Sequence, residues 1–455
     1  MTLHMYDTKS RSVQPITTQD NTVAMYCCGP TVYRDAHVGN LRTFLLSDLI
    51  ARVISISGVK VKRVQNITDV GHMAEDIVGD DKMLAQAKLE SRDPFAIARK
   101  YEERFHIDLA RLNIEPALVS PRASGAIALM VQTITQLIAS KNAYIGSDGS
   151  VYFAASSFPS YGDISGNRLA ALKPGHRYEY VDDGAKRFHA DWALWKSAGN
   201  RTELVWDSPW GVGFPGWHIE CTAMSLHYLA GHINIHVGGI DLRFPHHENE
   251  RAQSNSITDT EAVDMWVHGE HLLFEGRKMS KSANNVVLLA DVISHGFDPL
   301  SLRLCFLENR YRSQMDLNWQ SIATADATLR KWRRAMSEWG DNQNILADIQ
   351  IAQHLNKDLD TPRALQRLRS IEKDLITAPE NKRALFNYAD QILGLDLSRT
   401  EARKPLPEHL LDLFNEREKA RADKQWQRSD ELRVLLEAQG LAITDGPHGQ
   451  SWNWS

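Results

Sequence analysis

The stretch that most limits what this chain can become runs from Thr22 to Val70. Residues 22–28, TVAMYCC, are apolar and β-prone and read as a short buried strand. A turn follows at Gly29-Pro30. From Gly39 onward Leu41, Phe44, Leu45, Leu49, Ile50, Val53 and Ile54 recur at helical spacing, and Gly58 ends the run. Residues 59–70, VKVKRVQNITDV, alternate and read as a second strand. Strand, helix and strand in that order imply a parallel pair. The glycine at the helix start lets a phosphate or an adenine approach the backbone where the helix dipole favours negative charge. Many such units bind nothing, so the pattern by itself leaves the ligand open.

A second stretch, Trp217 to Glu250, is dense in histidine and holds Cys221. His246 and Glu250 are spaced i and i+4, one turn apart on one helix face. A thiolate, an imidazole and a carboxylate that converge suit Zn²⁺. Local spacing equally fits a buried thiol beside a polar helix start. Further on, Lys278 and Lys281 bracket Ser280, with Ser282 next, on a predicted exposed loop. Two lysines and two hydroxyls suit a polyphosphate that must be gripped and released, although an isolated pair of this kind is usually an ordinary basic turn.

The chain has 455 residues, enough for about two to four domains. Its 43% hydrophobic and 24% charged residues fit a soluble globular protein. The first residues show no apolar signal-peptide core, and no run is long enough to span a bilayer. Four cysteines, two of them adjacent, do not make a disulfide framework, which points to a reducing, cytoplasmic home. A net charge of −5 argues against indiscriminate nucleic-acid binding, but leaves room for a shaped RNA met by a local basic patch.

Coarse periodicity predicts helical blocks over Asp80–Leu112 and Pro116–Ala139 and a hairpin over Ala143–Ser157 turning at Asp148-Gly149. Gly162–Gly213 reads as an insertion lying across the mouth of the core and not as core. Residues 262–285 read as a strand or hairpin leading to the lysine loop. Helix follows over residues 301–319, then a helix with Leu329, Trp332 and Met336 on one face and Arg330, Lys331, Arg333 and Arg334 on much of the rest. That basic face suits either an RNA track or plain solvation. Ile345–Leu393 continues as a bundle, with Asp360-Thr361-Pro362 as a helix start. A single helix over Leu410–Ala438 and a strand–turn–strand complete the chain.

Several separated motifs converge on one family. The run from Cys27 to Tyr33 followed by Ala36–Asn40 resembles the HIGH signature of class I aminoacyl-tRNA synthetases, and KMSKS (Lys278–Ser282) matches their second signature in full. Trp217–Cys221, His246–Glu250, Asn66–Asp69, Asp191–Lys196, Tyr311–Gln314 and Asp445–Gly449 resemble cysteinyl-tRNA synthetases in particular, in the expected order from about Leu3 to Trp452.

The resemblance implies an α/β fold. A Rossmann-type parallel-sheet catalytic domain (1–115 and 214–258) is split by a connective insertion (116–213). A linking segment with KMSKS (259–320), an α-helical bundle (321–400) and a small α+β anticodon-binding domain (401–455) follow. It implies one Zn²⁺ held by Cys28, Cys221, His246 and Glu250. It implies ATP, with Mg²⁺, bound by Gly29, Thr31, His37, Gly39, Asn40, Lys278, Ser280, Lys281 and Ser282. Of these, His37, Asn40, Lys278 and Lys281 would serve catalysis. L-cysteine would meet Cys28, Trp217, Thr68 and Asp241, the last equally readable as a helix cap. tRNA(Cys) would meet Arg421, Trp426, Asp430, Arg433 and Asp445, with a domain-core role as the alternative for Trp426. A monomer with no membrane partner is expected. Selectivity would rest on a metal–thiolate bond that serine cannot reproduce, so no editing domain is needed.

Four places in the sequence depart from the family pattern. Asn40 stands for the second histidine of HIGH. Val237 replaces a glycine in a run near the nucleotide or substrate, where a β-branched side chain would narrow the site or shift the backbone. Ala283-Asn284-Asn285 replaces Leu-Gly-Asn. Cys27 is expected to face away from the metal, because strand neighbours point to opposite faces. Two rivals share most motifs: a cysteine ligase acting on a small amine, as in the mycothiol pathway, and an inactive RNA-binding paralogue.

Overall fold

A computed structural model describes residues 2–18, 20–71, 81–173, 185–279, 285–400, 406–446 and 449–454. They form two compact units, Met1–Arg399 and Thr400–Ser455. After an antiparallel pair, β1 (His4–Asp7) and β2 (Ser12–Pro15), the strand–helix–strand unit forms as β3 (Thr22–Cys27), α1 (Val38–Ile56) and β4 (Lys60–Gln65). β3 and β4 are parallel, with Thr22 opposite Lys60 and Cys27 opposite Gln65. α1 begins at Val38 because His37 and Asn40 close a capping box, each side chain taking the other's backbone N–H.

The helical block expected over Asp80–Leu112 is two helices, α2 (Lys82–Glu90) and α3 (Pro94–Arg111). The break falls at Ser91, which is left-handed, and Asp93 recaps the chain by accepting from the N–H of Ala96. Of the block expected over Pro116–Ala139, only α4 (Ile127–Ala139) is α-helical. Residues before it are extended along the first sheet, Val119 bridging Val64 and Arg122 bridging Ile67. Pro116 and Pro121 disfavour helix in the residues that precede them. The boundary expected at 116 therefore falls within chain that still pairs with the first sheet.

The hairpin forms as β5 (Ala143–Ile145) and β6 (Val151–Phe153), with Gly149 at φ 82°. β7 (Trp192–Ser197) and β8 (Gly213–Pro215) extend it to four antiparallel strands in the order β5-β6-β7-β8. This corrects the reading of Gly162–Gly213 as a cover without core. Trp192, Leu194 and Trp195 are buried, and Trp192 stacks on Phe153 with ring centres 4.4 Å apart.

The chain then returns to the first sheet through α5 (Trp217–Tyr228), β9 (Ile233–Gly239), α6 (His246–Thr258) and β10 (Val263–Gly269). The sheet is all parallel, ordered β10-β9-β3-β4. The chain leaves β3 toward β4 on one side and returns at β9 on the other. The crevice at the carboxyl ends of β3 and β9 is thus the switch point where open α/β sheets bind ligands. The boundary expected at 258 falls inside this sheet, because β10 closes it.

Beyond the sheet, β11 (Leu272–Phe274) pairs antiparallel with β12 (Arg277–Lys278). α7 (Leu289–Ser294) and α8 (Pro299–Leu307) follow. The helix expected over 301–319 stops at Leu307, and β13 (Met315–Leu317) instead pairs parallel with β11. The bundle comprises α9 (Trp319–Glu338), α10 (Ile349–Asn356), α11 (Thr361–Lys373) and α12 (Pro379–Leu393). The basic face of α9 is largely committed to ion pairs: Arg330 with Asp326, Lys331 with Glu372, and buried Arg333 with Asp298.

In the second unit the helix expected over 410–438 is two, α13 (Glu408–Ala422) and α14 (Trp426–Ala438), broken at left-handed Lys424. They pack on the hairpin β14 (Leu441–Gly446) and β15 (Gly449–Trp454) through Leu410, Leu436, Leu441 and Ile443. No helix of the described residues is long and apolar enough to cross a membrane.

Candidate active site and metal centre

Strand alternation divides the adjacent cysteines. Cys27 packs with the α1 side of the sheet, and burial pushes its thiol up to about 11. Cys28, one residue past β3, packs on the opposite side with Cys221. Val237 lies opposite Cys27 across the β3–β9 ladder and is fully buried on the α1 side. Its side chain is core packing, so the steric threat expected there does not arise. The neighbouring glycines do face crowded ground. A Cβ on Gly238 would sit 2.5 Å from the His247 ring, and one on Gly29 only 1.6 Å from the Asn66 carbonyl oxygen.

Cys28, Cys221 on α5, and His246 and Glu250 on α6 come together as one buried group. Cys28 Sγ is 3.9 Å from Cys221 Sγ and 3.6 Å from Glu250 Oε1, and His246 Nε2 is 3.0 Å from the same oxygen. The imidazole is held by a second one. His246 Nδ1 meets His218 Nδ1 at 2.9 Å, and Trp217 lies over the His246 ring at 4.3 Å. Burial raises the Glu250 carboxyl and the Cys28 thiol well above their ordinary ranges, whereas a hydrogen bond from Cys28 lowers that of Cys221. Among the described residues Glu250 Oε2 has no hydrogen-bond partner. Two thiols, an imidazole and a carboxylate buried together, with one carboxylate oxygen unspent, fit a divalent cation far better than they fit a core.

Above this cluster lies a cleft of about 320 Å³ lined in part by Cys28, Gly29, Thr31, Asn40, Trp217 and Asp241. Arg34, Lys82 and Lys196 also line it. His37 stands at the start of α1. Its Nδ1 accepts from the Asn40 N–H at 3.2 Å, and Asn40 Oδ1 accepts from the His37 N–H at 3.2 Å. Asn40 thus fills the departed histidine's place by capping the helix. Burial, then the charge of Arg34, lowers His37 to about 4. The ring is neutral near pH 7. With Nδ1 accepting, the proton sits on Nε2, a tautomer assigned from the hydrogen bond.

Thr68 does not reach the cleft wall. It is buried, donates to Glu220 Oε2 at 2.9 Å and accepts from Asn66 Nδ2 at 3.1 Å, and Asn66 in turn accepts from the Gly29 N–H. Asp241 is exposed at the start of a short 3₁₀ turn after β9. Lys278 is exposed on β12, and its carbonyl accepts from Asn285 Nδ2. Ser280, Lys281, Ser282, Ala283 and Asn284 lie outside the described residues.

In the second unit Arg421 and Arg433 converge on Asp445, at 3.1 and 3.9 Å. Buried Arg417 also pairs with Asp445 and, through its hydrogen bonds, holds that carboxyl below the usual range. Trp426 is 58% exposed, which sets aside a core role, and Asp430 is exposed on the same helix.

Of the histidines around the cluster, His218, His236 and His247 were visible in the sequence only as part of a dense set, and His268 lies outside that stretch. Strand phase and helix phase had to be combined before any of them could be placed.

A parallel sheet with its switch point over a cleft and a helix start carrying His37, with the lysine signature after them in sequence, defines a class I aminoacyl-tRNA synthetase. The solved structure of Mycobacterium tuberculosis methionyl-tRNA synthetase in complex with methionyl-adenylate shares the fold. It has a TM-score of 0.55 at 13% identity, covering 82% of this chain and 90% of that one. Residues 14–327 match the tRNA synthetases class I (C) catalytic domain, and residues 403–452 match the cysteinyl-tRNA ligase anticodon binding domain. Cysteine–tRNA ligase 1 of Burkholderia lata is 39% identical over 99% of this chain and 96% of its own length. Cysteine–tRNA ligase of Thermus thermophilus is 38% identical over 99% of each. The chain belongs to the cysteinyl-tRNA synthetase family.

Proposed function

We propose that this chain activates L-cysteine with ATP and transfers the cysteinyl group to the 3′-terminal adenosine of tRNA(Cys). The observation that carries this reading is the juxtaposition of a buried thiol–imidazole–carboxylate cluster with a cleft entered by the amino end of α1. In the first step a cysteine carboxylate oxygen attacks the α-phosphorus of ATP, the bridging bond to the β-phosphate breaks, and pyrophosphate leaves. In the second the terminal ribose 2′-hydroxyl attacks the acyl carbon and AMP leaves. The carboxylate is itself the nucleophile, so the protein positions and stabilises charge.

In this reading the neutral His37 presents its Nε2–H to the phosphates, Gly39 lets the nucleotide close on the helix start, and Gly29, Thr31 and Asn40 line the nucleotide's path. Lys278 and Lys281, with Ser280, Ser282 and Mg²⁺, take the charge of the departing pyrophosphate. Cys28, Cys221, His246 and Glu250 would hold one Zn²⁺, which when bound supplies a Lewis acid that prefers the substrate's sulfur to an oxygen. Trp217 walls that pocket, and Asp241 is placed to meet the substrate ammonium. Thr68 acts one layer behind, by fixing Asn66 and Glu220. In the second unit Trp426 offers a stacking face, and Arg421, Asp430, Arg433 and Asp445 offer edges for unpaired anticodon bases. The reading includes a monomer working in the cytoplasm and the division into catalytic, insertion, linking, bundle and anticodon-binding parts.

The test is cysteine-dependent ATP–pyrophosphate exchange followed by charging of tRNA(Cys). Both are expected. Exchange without charging would favour a ligase that acylates a small amine. Failure of exchange by the zinc-loaded protein would favour an inactive paralogue.

A further inference from the structure

The pair Cys28 and Glu250 has a second set of partners. His236 Nε2 lies 3.4 Å from Cys28 Sγ and 3.7 Å from Glu250 Oε1. His247 Nε2 lies 3.4 Å from the same sulfur and 4.0 Å from the same oxygen. These four donor atoms lie within 4.8 Å of one another, as do those of Cys28, Cys221, His246 and Glu250. We propose that Cys28 and Glu250 serve two alternative metal positions, one completed by Cys221 and His246 and one completed by His236 and His247.

The second position has outer support on one of its two histidines, His247, whereas His236 Nδ1 has no hydrogen-bond partner among the described residues. His247 Nδ1 meets His268 Nε2 at 2.8 Å, and His268 Nδ1 meets Thr8 Oγ1 at 2.8 Å. A proton on each Nδ1, donated outward along this chain, leaves the His247 Nε2 lone pair facing the Cys28 sulfur, the outer support that a ligating histidine needs. The ring has room to stand there only because residue 238 is glycine. His236 is fixed by stacking on Trp266, with ring centres 4.6 Å apart and planes 23° apart. All four residues are buried.

The two positions differ in softness and in outlook. The first offers two sulfurs and lies under Trp217, on the cleft. The second offers one sulfur and two imidazoles and lies toward Trp266, and of the donors of both positions only the shared Cys28 lines the cleft. Softer ions should settle with the two thiolates, and ions with a stronger taste for imidazole nitrogen with the histidines. Both positions use the same thiolate and carboxylate, so one ion per chain is expected at a time. Each position offers four protein donors, but the second lies toward Trp266 and not under Trp217, the wall of the proposed cysteine pocket. An ion in the second position is held without serving cysteine activation.

This inference rests on the reading of Cys28 and Glu250 as metal ligands, and one set of full-length proteins separates the two. Zn²⁺ content and zinc-edge X-ray absorption are measured on the wild type, Cys221→Ser, His247→Gln and the double variant. Folding is checked by circular dichroism and melting. Cys221→Ser is expected to keep about one Zn²⁺ per chain, with one sulfur and two imidazoles around it and no cysteine-dependent exchange. His247→Gln is expected to bind zinc through two sulfurs, and the double variant to bind none. A folded Cys221→Ser protein without metal, or with a single imidazole on its zinc, would overturn the second position and leave the first standing. A wild type that binds no zinc would overturn both. If Cys221→Ser does not fold, wild-type protein loaded with Cd²⁺ or with Ni²⁺ decides. Two sulfurs around Cd²⁺ and one around Ni²⁺ support the proposal, and the same sulfur count around both refutes it.

Discussion

Val38, the first residue of α1, donates its backbone N–H to the carbonyl of Val287 at 3.0 Å. Its neighbour His37 bridges Leu288 in the same place. The segment that follows the KMSKS signature is therefore hung on the first turn of α1, the helix whose start borders the cleft. The chain that leads into the signature is tied to the next turn of the same helix. Arg42, buried on α1, donates to the carbonyls of Glu270, His271, Arg310 and Ser313, the residues that lead into β11 and β13.

Arg42→Lys should therefore loosen the lysine hairpin without emptying the cysteine pocket. One ammonium cannot reach four carbonyls in two directions as a guanidinium does. The exchange rate is expected to fall about tenfold with a raised KM for ATP, an effect of about 1.4 kcal/mol, while KM for cysteine and zinc content hold. A change in cysteine KM alone would count against this role.

His37 should show itself in the pH dependence of stability. Its pKa is lowered from 6.5 to about 4, so between those values the unfolded chain binds a proton that the folded chain refuses. Stability contributed by the neutral ring is present above about 6.5 and is lost as pH falls toward 4. His37→Gln is expected to flatten that acid slope in denaturant titrations, and to lower exchange by about a hundredfold at pH 7.5. An unchanged slope would show that the ring is not held neutral.

Removal of metal should abolish cysteine-dependent exchange. Four buried donors brought within 4.8 Å without a cation leave thiols and a carboxyl competing for protons. Treatment with a strong chelator is expected to stop exchange and to lower Tm, with both restored by stoichiometric Zn²⁺. Full exchange in metal-free protein would remove the selectivity argument.

Val237→Gly, the change toward the family pattern, should weaken the fold and leave catalysis alone. The valine side chain packs under α1 and its removal leaves a cavity and a looser strand, a cost of about 2–3 kcal/mol. Urea unfolding is expected to report that loss, with both KM values within about twofold of wild type. A gain in kcat would mean that the side chain does crowd the site.

Trp426→Ala should act on tRNA only. An exposed indole contributes little to its own unit, whereas stacking on an unpaired base is worth about 1–3 kcal/mol. The expected outcome is a KM for tRNA raised about tenfold or more, with exchange and melting unchanged. Loss of melting cooperativity instead would return the residue to a packing role.

Much of this was legible in the chain. The apolar run of residues 22–28, the alternation of residues 59–70 and the spacing of Leu41, Leu45 and Leu49 mark a strand–helix–strand unit, because each pattern matches the way its element is buried. The errors have local causes. The helical periodicity of residues 80–112 and 410–438 continues past the left-handed residues Ser91 and Lys424, and periodicity does not register a turn taken by a non-glycine residue. Residues 315–317 read as helix because three residues are too few to show a period, and their pairing with β11 is non-local.

What the sequence determined by itself is the set of parts: the parallel unit, the thiol, imidazole and carboxylate types, the lysine signature and the family they resemble. What only the tertiary structure decided is which way each part faces. Whether Val237 enters the site or the core, whether Thr68 meets a ligand or Glu220, and whether His236 and His247 reach the same sulfur as Cys221 and His246 all depend on strand phase set against helix phase. A one-residue shift in a strand turns a side chain to the opposite face, and that phase is fixed by burial across the whole sheet and not by any local spacing.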